Sequence, residues 1–234
     1  MFLHHTQVIP VLYTDHTGQI MINAVQHRLM AWLSPSYPIG AFSYSHGLEY
    51  AIHNGDVTDA ISLQNWLSDV IEFGAGRNDA ILLAQAYKAP NKQVLEEVAN
   101  LATALSSSAE RHLETTAQGA AFSKVTSAVY GIELPPMPLP VAIGVAAAQE
   151  GIELEQVLPL YLHNFAANIV AAGVRFVPLG QTAGQQVLAA LFDLFDTAAK
   201  DAKYSDLESI GSICFLSDIA TMKHEKMTTR IFRT

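Results

Sequence analysis

Apolar residues recur at three- and four-residue spacing along nearly the whole chain, and no sustained alternation of period two interrupts them. That spacing places apolar side chains on one face of an α-helix and scrambles them on a strand, so it commits the chain to an all-α fold. "TDAISLQNWLSDVIEF" shows the pattern clearly, with Thr58 as the expected N-cap. Ala and Leu are abundant inside the periodic segments, and Gly and Pro fall mostly between them.

Read this way, "NAVQHRLMAWL" is a first helix stopped at Ser34-Pro35. Further helices run from about Ser43 to Asn54-Gly55, through the Thr58 segment to "GAG", and from Asn78 to Ala89-Pro90. Others follow from Asn91 to the serines at 106–108, and through "AERHLETTAQGAAFSKVTSAV". "GIELPPMPLP" holds four prolines in ten residues and is a loop. Beyond it lie "LPVAIGVAAAQE", "LEQVLPLYLHNFAANIVAAGVRF" with Pro159 expected in its first turn, and "GQTAGQQVLAALFDLFDTAAKDAK" as the last long helix. The expected architecture is a single-domain bundle of about nine or ten helices over residues 21–222. A flexible segment is expected at 1–20 and a basic tail at 223–234.

Composition narrows the function. Half of the residues are hydrophobic and only 15% are charged, against about 25% in an ordinary domain, which predicts apolar surface kept for a partner or a second copy. No apolar run reaches the ~18 residues of a membrane helix, because Asn168 and Arg175 interrupt the longest one. There is no basic-then-apolar leader at the N-terminus, and the single Cys214 builds no disulfide framework, so a cytoplasmic location is expected. The net charge of −9 argues against nucleic acid. It is uneven: Lys223, Lys226, Arg230 and Arg233 against Glu225 give residues 223–234 a charge of +3, which leaves −12 on the rest. A basic tail on an acidic body predicts a tail that meets something else.

The chemistry-bearing constellations are weak. His46, Glu49 and His53 stand at i, i+3 and i+7, one face of a helix, and would offer two imidazoles and a carboxylate to a metal-dependent hydrolase. Two helical turns, roughly 10 Å, separate the histidines, too far for one ion. Ser45-His46-Gly47 lacks the glycine two residues before the serine that a nucleophile elbow requires. Neither a phosphate loop nor a dinucleotide fingerprint is present. No catalytic residue, metal ligand or cofactor site is expected. Arg175, inside an apolar run, is expected to need a carboxylate or carbonyl partner.

Three stretches remain. "SPSYPIGAFSYSHGLEYAI" resembles the N-terminal signature S-P-x-x-P-[VI]-G-x-[FY]-S-[YW]-S-x-G-L-E of the urease accessory protein UreF family. "VRFVPLGQTAGQ" resembles that family's R-x-x-P-[LI]-G-Q-T-x-G-Q, and "SDIATMKHEKMTTRIFRT" resembles its C-terminal ending. Ala120 and Ala121 stand where the family often carries arginine, and Thr234 replaces a usual serine. The resemblance implies a non-enzymatic helical homodimer of urease maturation. It would bind the UreD/UreH-type accessory protein, recruit the UreG-type GTPase and dock on apo-urease to couple GTP hydrolysis to nickel insertion. It implies a partner-binding surface at Pro38, Gly40, Phe42, Tyr44, Ser45 and Glu49. Arg175 and Gln181 would join it, with His224, Arg230, Phe232 and Arg233 of a tail that orders on the UreD-type partner.

Overall fold

The computed structural model describes residues 24–233; the expected N-terminal segment 1–20 lies outside them. Among the described residues the chain is all-α, with no strand. Eleven α-helices follow in order: α1 (Ala24–Trp32), α2 (Leu48–Asn54), α3 (Ala60–Phe73), α4 (Ala75–Lys88), α5 (Lys92–Ala104) and α6 (Ala109–Tyr130). They continue as α7 (Leu139–Gln149), α8 (Leu154–Phe176), α9 (Gln181–Ala189), α10 (Phe192–Tyr204) and α11 (Phe215–His224).

Local chemistry sets the helix starts. Asp59, not Thr58, caps α3: its Oδ1 accepts the Ser62 amide at 2.8 Å, and Ser62 Oγ accepts the Asp59 amide in return. Asn91 and Ser108 cap α5 and α6 from one side only, accepting the Val94 and Arg111 amides. The segment read as one last long helix is two, α9 and α10, broken after Ala189 where neither Gly nor Pro marks the break. Pro159 lies in the second turn of α8 rather than the first, so α8 forgoes one helical hydrogen bond there.

The core forms around α4, α7 and α8. α4 presents Ala80, Leu83 and Ala84 to Val141, Ile143 and Ala146 of α7, all buried. Small residues let these two helices approach closely: a Cβ on Gly144 would fall 2.4 Å from the Leu83 carbonyl oxygen. α8 is long and apolar enough to cross a membrane by length and composition alone, but half of its most apolar window is buried inside the fold. The proline-rich segment after α6 is a loop as expected and returns along α6, where Ser123 Oγ donates to the Pro135 carbonyl at 3.0 Å.

Candidate functional site

The helix expected from Ser43 begins only at Leu48. His46 (φ 60°) and Gly47 (φ 75°) take the left-handed conformation and break it. Gly40 (φ 74°) turns the chain before a single 3-10 turn at Ala41–Ser43. The positive φ at His46 costs about 1–3 kcal/mol, and its surroundings over-determine it. The ring is buried, donates from Nδ1 to Glu114 Oε1 at 3.3 Å, and stands edge-on to Phe165 at 4.7 Å. Gly47 serves a second need: a Cβ there would sit 2.8 Å from the Thr221 amide, so only glycine lets α2 lie this close to α11.

Glu49, on the first turn of α2, is 5% exposed. Its Oε1 accepts the Ile231 amide at 2.8 Å, and its Oε2 accepts the Phe232 amide at 2.9 Å. The same Oε2 lies 3.1 Å from His224 Nε2. On the other side of that ring, Nδ1 lies 2.7 Å from Glu110 Oε2. His224 is 0% exposed, and each of its ring nitrogens faces a carboxylate oxygen. Arg230 reaches Glu110 from the tail, so two carboxylates, one imidazole and one guanidinium form a single cluster. Glu225 accepts the Ala109 amide at 2.7 Å and thereby completes the N-terminus of α6.

The tail closes over this cluster. Phe232 is buried against Phe176 (ring centroids 5.5 Å apart), and the Arg175 guanidinium lies 5.5 Å from the Phe232 ring centre. The Arg233 amide donates to the Ser43 carbonyl at 2.8 Å. The three signature stretches thus meet around Phe232 although they are far apart in sequence. The tail, expected to order on a partner, is seated on the body through these contacts.

The expected site residues divide accordingly. Tyr44, Ser45 and Glu49, read as presenting a docking face, are buried; Ser45 Oγ accepts the Glu49 amide at 3.3 Å. Arg175 is exposed and meets an aromatic ring rather than the carboxylate or carbonyl expected for it. His224 and Phe232 are the buried anchors, Arg230 turns its guanidinium onto Glu110, and Arg233 is exposed. Pro38 and Phe42 are exposed, Gly40 is half-buried, and Gln181 stands exposed at the start of α9. His46, Glu49 and His53 share no centre: His46 faces Glu114, Glu49 faces His224 and the tail, and His53 is exposed. Among the described residues no group of three or more His, Cys, Asp or Glu side chains could hold a metal ion.

Sequence reasoning placed α6 but missed the character of its buried face. Its buried face is polar: Glu110, Arg111, Glu114, Thr115 and Gln118. Arg111 Nη1 lies 2.7 Å from Glu114 Oε2, and Tyr161 donates to Asp79 Oδ2 at 2.9 Å beside them, around a cavity of about 40 Å³. Burial alone would lift the Glu114 carboxyl, but Arg111 and His46 outweigh it and hold that group well below the usual carboxylate range. Burial raises Asp79 despite Arg111 beside it. The signal available was the first half of the helix, Ala109–Gly119, where Leu113 is the only large apolar residue, which leaves polar side chains to fill the buried face.

α11 is inverted in the same sense. Ser217, Ala220, Thr221 and His224 face inward, while Phe215, Leu216, Ile219 and Met222 face outward, with Ile219 48% exposed. Lys223, Lys226, Arg230 and Arg233 are exposed in the same segment.

Residues 57–192 match the sequence model of the UreF family. A protein of Cereibacter sphaeroides (strain KD131 / KCTC 12085) named urease accessory protein UreF is 53% identical over 91% of this chain and all of its own length. Proteins of the same name from Roseobacter denitrificans and from Rhodopseudomonas palustris (strain BisB5) are 45% and 44% identical. They cover 94% and 91% of this chain and 100% and 92% of themselves. On this similarity, and on the three signature stretches that the fold gathers around Phe232, the chain belongs to the UreF family of urease accessory proteins.

Proposed function

We propose that this chain is a non-enzymatic scaffold of urease maturation, working in the cytoplasm as a homodimer. It binds the UreD/UreH-type accessory protein through α11 and the tail. The pair recruits the UreG-type GTPase, and the assembly docks on apo-urease so that GTP hydrolysis drives nickel insertion. The observation that carries the reading is the inverted α11. An apolar strip facing solvent, in a segment with Lys223, Lys226 and Arg233 exposed, fits an apolar and acidic partner surface. The Glu49–His224–Glu110 cluster behind it spends three buried polar groups on holding α11 and the tail in place. That is a fixed platform rather than a solvated end.

The test is co-purification with the UreD-type and UreG-type proteins of the same host. The scaffold reading expects a defined complex containing this chain. Ile219→Glu, on an exposed position, should remove the chain from it while leaving the thermal midpoint within a few degrees. A complex that forms undiminished with Ile219→Glu excludes α11 as the docking surface, and a chain that captures neither protein sinks the scaffold reading.

A further inference from the structure

Arg28 of α1 lies over the ring of Tyr130, the last residue of α6, at 5.4 Å, so α1 stands at the far end of that helix from Glu110 and the tail. α1 and the start of α8 flank a groove of about 440 Å³ lined by Gln26, Leu29, Met30, Gln156, Pro159 and Leu160. Leu29 is its buried floor, while Met30 (63% exposed) and Leu160 (44% exposed) stand on its edges. None of the six is charged, and the nearby Arg28 is paired with Glu150. We propose that this groove is the seat of the chain's own residues 8–13, "VIPVLY", so that the segment preceding α1 folds back across α1 and α8.

Three observations carry the assignment. The first is reach. α1 begins at Ala24, so residues 14–23 join the segment to the groove's own wall. Those residues extend to at most ~33 Å, whereas α1 is only ~14 Å long. The segment therefore reaches either end of the groove, and a tether this short holds it at an effective concentration of about millimolar, so a contact of modest intrinsic affinity is filled. The second is charge. Residues 2–13, "FLHHTQVIPVLY", contain no Asp, Glu, Lys or Arg. Such a run enters an uncharged groove without taking an ionised side chain out of water. The third is apolar surface. Left apart, the groove shows Met30 and Leu160 to water, and the segment brings Val8, Ile9, Val11, Leu12 and Tyr13; seating one on the other covers both. A protein that docks on α1 and α8 must then displace the segment first. The proposal is independent of the partners named above.

Photocrosslinking of the full chain tests this, with p-benzoylphenylalanine in place of Val11 and an equal mixture of isotopically light and heavy chains. Crosslinks should map to residues 24–33 or 154–163, join two positions of one chain, and persist on dilution. Leu160→Glu sets a carboxylate in the seat and should cut the yield at least about 10-fold, with the thermal midpoint within a few degrees. Met30→Glu should act alike, and it decides the matter if Leu160→Glu does not fold. Crosslinks that join light to heavy chains overturn the proposal in favour of a second copy. Crosslinks that fall elsewhere, or a yield that neither variant lowers, overturn the seat itself. Hydrogen exchange reads the groove from its other side. Deleting residues 2–13 should speed exchange across 25–30 and 156–160 at least about 10-fold and leave 215–224 unchanged. Groove amides whose exchange ignores the deletion overturn the proposal as well.

Discussion

Glu49 is one carboxylate with three contacts: it accepts two tail amides and faces Nε2 of His224. Truncation would leave two amides and a buried imidazole without their acceptor. Breaking a buried charged pair from one side costs about 3–5 kcal/mol. Glu49→Ala should therefore lower the unfolding free energy by about 3 kcal/mol or more in urea, and speed hydrogen exchange across residues 225–233 before the body unfolds. An unchanged urea midpoint with slow exchange at the tail would show that the carboxylate is a surface group after all. Glu114 makes a different prediction, in pH. Its carboxyl sits below the ordinary 4.5 in the folded chain, so the unfolded chain binds more protons beneath that value. The stability it contributes is present above pH 4.5 and is lost as the pH falls below it. Asp79 carries the opposite sign: its carboxyl is raised above 3.8, so its contribution is largest in acid and declines as the pH rises through the folded value. Glu114→Gln should flatten the acid side of the stability profile below pH 4.5, read from urea midpoints at a series of pH values. An acid limb as steep as the wild type's would mean that other carboxylates set it.

At the scale of elements, Gly47 and Gly55 form a natural control. Both have positive φ, 75° and 85°. Nothing stands where a Cβ on Gly55 would go, whereas a Cβ on Gly47 would meet the Thr221 backbone. Gly55→Ala should cost only the left-handed penalty, about 1–2 kcal/mol. Gly47→Ala should cost measurably more and loosen α11, seen as faster exchange at residues 215–224; equal costs for the two would mean that α11 yields at no expense. The sequence made the helices themselves legible, because three- and four-residue spacing is a local property that any window of the chain displays. The start of α2 and the α9–α10 break were not, because His46 enters the left-handed region through its burial against Glu114 and Phe165, and no residue at the break departs from helical chemistry. Which stretches form the site was legible as three motifs. How they meet was not: His224 and Glu110 are 114 residues apart, and no periodicity joins them.

At the scale of the whole molecule, the tail changes from an appendage into a closing piece. By charge alone it is a solvated end, +3 against −12, and removing it should cost nothing. In the fold it supplies the Glu225 cap of α6, the Arg230 partner of Glu110, and the Phe232 ring that covers Arg175 and Phe176. The first two fall on α6 and the third on α8, and Glu49 of α2 accepts the Ile231 and Phe232 amides, so the tail, which follows α11, ties α2, α6 and α8 together at one end of the bundle. The core around α4, α7 and α8, where Leu83, Ile143 and Leu162 are fully buried, is built from helices of the body. A chain ending at His224 should therefore keep its helical circular dichroism. It should lose several degrees of thermal midpoint, because burying one phenylalanine side chain alone is worth about 1.5–3 kcal/mol. It should also fail to enter the complex with the UreD-type and UreG-type proteins. The two effects separate by a second variant: Arg233→Glu keeps Phe232, Glu225 and Arg230 and reverses one outward charge. Loss of the complex with an unchanged midpoint in that variant assigns the tail's cations to the partner. Intact binding confines the tail's part to holding α11 in place, with the apolar strip of Phe215, Ile219 and Met222 left as the surface that the partner reads.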